Sequence, residues 1–103
     1  MTILVFHRKK ITDEGDIIER KVWKIDKSKD FPEGIKYSLV YIHKNKKLLG
    51  YDNEKSKGHH KHYFGKEKPY AFIDDKKLIS DFYEDVRRLR SILYGKKENK
   101  GNN

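Results

Sequence analysis

The sequence predicts an α+β fold: a twisted, mostly antiparallel sheet of four to five strands packed on one long C-terminal helix. Two observations carry this. Short β-branched and aromatic runs, separated by turn residues, occupy the first half of the chain. Near its end, Leu78, Ile79, Phe82, Tyr83, Val86, Leu89, Ile92 and Leu93 recur at spacings of one, three and four, which is one apolar stripe of a helix.

The elements follow in order. Ile3-Leu4-Val5-Phe6 reads as a first strand and residues 17–25 as a second. They pair as a hairpin around the turn cluster Thr12-Asp13-Glu14-Gly15-Asp16. Val22-Trp23-Lys24-Ile25 mixes both faces, so the sequence leaves the side of Trp23 open. A charged loop with Phe31-Pro32 interrupts, because proline lacks the N–H a central strand needs. In residues 36–43, apolar groups on both alternating faces mark a third strand. Lys44-Asn45-Lys46-Lys47 turns, with Asn45 the best candidate for a positive φ, and residues 48–52 return as the fourth strand. Residues 53–69 hold no sustained period, and Tyr70-Ala71-Phe72-Ile73 suggests a fifth short strand. Asp74 or Asp75 caps the helix, acids lie early in it and Arg87, Arg88 and Arg90 late, and Gly95 stops it. The expected organisation is one domain over residues 1–95 with a disordered basic tail at 96–103.

Of the 103 residues, 40% are charged and 35% hydrophobic, but 13% aromatic content argues for a folded core over disorder. The formal charge of +9 favours an anionic partner, either nucleic acid or an acidic protein. With no cysteine, disulfides and thiolate metal sites are excluded. No apolar run nears the roughly 18 residues of a membrane span, and no secretory signal is visible, so a cytoplasmic location is expected.

Chemistry concentrates between Tyr51 and Phe72. His59, His60 and His62 are three of the five histidines. If that segment is extended, His60 and His62 share a face about 6.5 Å apart at Cα. A phosphodiester fits between two such rings. One imidazole takes a proton from a ribose 2′-hydroxyl and the other gives one to the departing 5′-oxygen, in an order the sequence leaves unassigned. Lys57 is the expected phosphate contact, with Lys61 and the N–H of Gly58 as further binding groups. Tyr51 and Tyr70 offer stacking faces to a base. Asp52 is placed to hold a histidine in one tautomer. This scheme requires both rings to be open on one side. If one is sealed in the interior, only a binding role remains.

The run Gly50-Tyr51-Asp52-Asn53, Lys57-Gly58, His60-Lys61-His62 and Gly65-x-Glu67-x-Pro69-Tyr70-x-Phe72, followed by Asp81-Phe82 in the helix, closely resembles the TumE-type toxins of toxin–antitoxin systems. The likeness runs from about residue 17 to 93 and takes in Val22-Trp23 and Lys36-Tyr37. Ser56 stands where the pattern has glycine, His59 where it has aspartate, and Lys61 where it has arginine. The resemblance implies a small cytoplasmic toxin paired with an antitoxin that carries a helix-turn-helix.

Together these readings point to a toxin that acts as a metal-independent endoribonuclease through a His-x-His pair, with His60, His62 and Lys57 catalytic. Tyr51, Asp52, Asn53, Gly58, Lys61 and Tyr70 bind substrate. RNA and an antitoxin are the partners, with no membrane and no cofactor. The rival is a non-catalytic basic protein that binds an antitoxin or nucleic acid. A metal enzyme ranks third, because three nearly adjacent histidines make a strained ligand set without cysteine.

Overall fold

A computed structural model describes residues 1–95. The expected tail at 96–103 lies outside the described residues. Six strands form one antiparallel sheet in chain order: β1 (Ile3–Ile11), β2 (Ile17–Lys24), β3 (Ile35–His43), β4 (Lys46–Glu54), β5 (Gly58–Tyr63) and β6 (Lys66–Pro69). One helix, α1 (Asp75–Tyr94), follows. The chain divides into two compact units, residues 1–71 with the sheet and a second unit from Phe72 that contains α1.

The predicted α+β class is what the structure shows, with one more strand than the upper expectation. The difference lies in residues 53–73. The segment that showed no period forms β5 and β6, while Tyr70, Ala71, Phe72 and Ile73 are not a strand. β5 was hidden because Gly58, His59, His60, Lys61 and His62 carry no apolar alternation. Its pairing comes from the neighbouring strand and two tight turns. One of these, Phe64-Gly65, holds both residues at positive φ (51° and 81°), the geometry of a two-residue hairpin loop. Lys44-Asn45 does the same between β3 and β4, at 49° and 66°.

Alternation sorts the sheet residues onto two faces. One face carries Ile18 on β2, Tyr37, Leu39 and Tyr41 on β3, and Leu49, Tyr51 and Asn53 on β4, all buried. The opposite face carries Ser38, Gly50 and Asp52, then His60 and His62 on β5 and Glu67 and Pro69 on β6. A buried polar cluster anchors the first hairpin. The Asp16 carboxylate accepts the Tyr41 hydroxyl at 2.5 Å and meets His43 Nδ1 at 2.8 Å, while the Asp16 N–H donates to Thr12.

In the second unit, Asp74 caps α1 by accepting the Lys77 N–H at 2.8 Å, and Gly95 ends it. Leu78, Phe82, Val86 and Leu89 are buried along one stripe, as their spacing predicts. Arg87 and Arg88 pair with Glu84 one turn back, at 3.2 and 3.3 Å, so they form a charged ladder along the helix surface.

Candidate functional site

The site lies wholly in the sheet unit, where β4, β5 and β6 meet. Asp52 stands directly opposite His60 in the β4–β5 register, and His62 lies opposite Glu67 in β5–β6. These four side chains therefore share one face. His60 Nε2 is 2.6 Å from Asp52 Oδ1 and 3.3 Å from Glu67 Oε2. His62 Nε2 is 3.7 Å from the other Asp52 oxygen. The two rings stand edge to face with centroids 4.9 Å apart. His60 Nδ1 is 3.1 Å from the Gly58 carbonyl.

Lys57 reaches Glu67 at 3.1 Å. That hydrogen bond, with the attraction of the two charges, holds the ammonium pKa above its ordinary value and the Glu67 carboxyl below its own. Both side chains are solvent-exposed, so water and salt screen the pair. With His60, Lys68 and Pro69 they line a shallow groove.

The rings of the histidine pair do not share solvent equally. The His62 side chain is 25% exposed and that of His60 only 4%. The requirement for two open rings therefore fails at His60 in this structure. Its Nε2 faces two carboxylates instead of an open phosphate position.

The remaining candidate residues sort by face. Tyr51 and Lys61 lie on the opposite side of the sheet from the histidine pair, as does Asn53. Tyr51 is 2% exposed, packed edge to face with Tyr70 at 5.0 Å and covered by the Lys61 ammonium 5.4 Å from its ring centre. It has no free face for a base, whereas Tyr70 is half-buried. Asn53 is buried, accepts the Tyr37 N–H at 3.0 Å and donates to the Ile35 carbonyl at 2.9 Å. Those are stitches between strands, and they occupy the amide that was expected to bind substrate. Gly58 opens β5 at φ 74° and presents its carbonyl to His60.

His59 also lies away from its two neighbours. Its Nδ1 is 2.8 Å from the Tyr37 hydroxyl and its Nε2 3.1 Å from Glu33. Burial pushes the Tyr37 phenol pKa well up, and nearby Tyr70, Asp52 and Glu33 add to this. A carboxylate at position 59 would share this face, so Asp52 is the carboxylate that holds His60. The sequence reading assigned no role to Glu67. Its signal was its place in the Gly65-x-Glu67-x-Pro69 motif, next to a strand edge that composition did not reveal.

Fold and site together define an α+β chain with an aspartate, two histidines and, beside them, a lysine–glutamate pair on one sheet face. The family is explicit: the family described as Toxin TumE matches residues 4–90, and the chain belongs to it. It is thus a toxin component of a toxin–antitoxin system, with an antitoxin as its implied partner. No curated protein and no solved structure matches the chain. Among the described residues, no helix is long and apolar enough to cross a membrane.

Proposed function

We propose that this toxin binds RNA or its antitoxin, one with a helix-turn-helix, through the face that carries Asp52, His60 and His62, with an endoribonuclease centred on the same cluster as the second reading. The supporting observation is the convergence of one carboxylate and two imidazoles on one face of a lysine-rich ribbon, with His62 as the open member. In that second reading, the ribose 2′-oxygen attacks phosphorus and the bond to the 5′-oxygen breaks. The 2′ proton passes to a base of the cluster, and the 5′-oxygen gains a proton from the same site. Lys57 stabilises charge on the phosphate oxygens. A bound phosphate competes with Glu67 for that ammonium. Drawing Lys57 off Glu67 leaves that carboxylate to His60, which acts through Asp52 and His62.

The burial of His60 favours binding without turnover over cleavage. Incubation of the full chain with total RNA, in EDTA and in added divalent metal, separates the two. Tight RNA binding with no product is expected; the cleavage reading instead requires 2′,3′-cyclic phosphate ends and a rate at least about 100-fold lower in His62→Ala, the usual scale for removing an acid–base group. Cutting that His62→Ala abolishes overturns binding without turnover, and undiminished cutting by the His60→Ala/His62→Ala double variant defeats the cleavage reading.

A further inference from the structure

We infer that Asp52, His60 and His62 form a binding site for one divalent transition-metal ion, held by Nε2 of each imidazole and a carboxylate oxygen. The argument begins at the other nitrogen of His60. Its Nδ1 bonds to the Gly58 carbonyl at 3.1 Å. A carbonyl oxygen only accepts, so Nδ1 carries the proton. In the neutral ring, Nε2 then presents its lone pair to Asp52 Oδ1 at 2.6 Å, with Glu67 Oε2 at 3.3 Å. These are electron-rich atoms facing one another. Asp52 Oδ1 and His60 Nε2 are both buried, and among the described residues neither has an aligned hydrogen-bond partner. A cation between them resolves the conflict. An N–H donated to a backbone carbonyl is also the outer contact that commonly fixes a metal-bound imidazole.

The spacing agrees. The donor atoms of the three residues lie within 4.8 Å of one another. A tetrahedral ion with bonds of about 2.0–2.1 Å separates its ligands by about 3.3 Å. The 2.6 Å contact of His60 with Asp52 Oδ1 must widen, and the donor atoms of the set, up to 4.8 Å apart, must close by at most about 1.5 Å of side-chain adjustment. Two imidazoles and one carboxylate suit zinc and its first-row neighbours better than magnesium or calcium, which prefer oxygen ligands. Three protein ligands leave a further position open.

Sequence spacing alone points to the wrong set. It groups His59 with His60 and His62, but the fold turns His59 to the other face, between Glu33 and Tyr37. Asp52, brought in across the β4–β5 register, takes its place and removes the strain of adjacent ligands. The inference rests on the same cluster as the proposed function: Nε2 of His62 would be a ligand in place of a free acid–base group, and a bound ion would supply Lewis-acid chemistry to the cleavage reading.

The test uses the full chain, expressed without a histidine tag and stripped with EDTA. Zn²⁺ is titrated by calorimetry and Co²⁺ by its visible absorption, which reports coordination. One ion per chain is expected. His62→Ala and Asp52→Asn, checked for folding by circular dichroism, should weaken affinity at least about 100-fold, beyond the loss typical of an outer contact. His59→Ala should leave it unchanged. Failure to bind one ion per folded chain overturns the site, as does equal weakening by His59→Ala. Metal binding without RNA cleavage supports the site and defeats the nuclease reading. Cleavage by protein that binds no ion keeps the nuclease reading and overturns the site.

Discussion

At the scale of single residues, Asn53 illustrates how a motif side chain can be structural. Its amide closes the β3–β4 ladder just past the last paired residues, Ser38 and Asp52, by accepting the Tyr37 N–H and donating to the Ile35 carbonyl. A buried polar group left without its partner costs about 1–3 kcal/mol. Asn53→Ala removes a partner from two such groups, so a loss of about 2–6 kcal/mol is expected. The urea midpoint should fall with little change in slope. RNA affinity of the still-folded fraction should match that of the unsubstituted chain, because the amide lies on the face away from His60 and His62. A selective loss of affinity at unchanged stability would return Asn53 to the substrate. Asp52, one position earlier, faces the other way and belongs to the cluster. Strand alternation gives these adjacent residues different work.

At the scale of elements, the β4–β5 turn sets the site. Ser56 sits there at φ 65°, in the left-handed region, where a side chain costs about 1 kcal/mol or more and glycine costs nothing sterically. This explains why the TumE-type pattern has glycine at this position. Ser56→Gly relieves the strain, while the looser unfolded chain takes back roughly 0.5 kcal/mol. The net gain should be about 0.5 kcal/mol or a little more, seen as a melting temperature higher by about 2–4 °C. A lower melting temperature would show that the Ser56 side chain contributes something the backbone angle does not reveal. The same turn explains what was and was not legible in the sequence. β3, with Tyr37, Leu39 and Tyr41 on one face, announced itself by alternation, and α1 by its stripe from Leu78 to Leu89. β5 has no such signal. The i, i+2 relation of His60 and His62 followed from assuming an extended chain, but the pairing of Asp52 with His60 depends on register. Register depends on the length and backbone angles of residues 55–57, where Ser56 departs from the expected glycine. The burial of His60 was equally hidden, since its carboxylate neighbours Asp52 and Glu67 come from the two flanking strands.

At the scale of the whole molecule, a net charge of +9 must act through particular places. Several cations are already engaged: Arg87 and Arg88 with Glu84 on α1, Lys77 with Asp81, and Lys61 over the Tyr51 and Tyr63 rings. Lys57 differs, because its partner Glu67 also contacts His60, so an incoming phosphate acts on both. Binding of single-stranded RNA should therefore weaken with salt, with a log–log slope near −0.7 for each phosphate contacted. Lys57→Ala should make that slope shallower by about 0.7, the loss of one contact. Arg87→Ala should leave the slope unchanged, since that guanidinium belongs to the helix ladder. Fluorescence anisotropy of a labelled oligonucleotide from low to moderate salt reads both. An unchanged slope in Lys57→Ala would remove Lys57 from the phosphate path and leave it only its pairing with Glu67. Equal losses in the two variants would mean that RNA feels the total charge and not the cluster. In that case the face around Asp52 would have no special claim on RNA, whatever ion it holds.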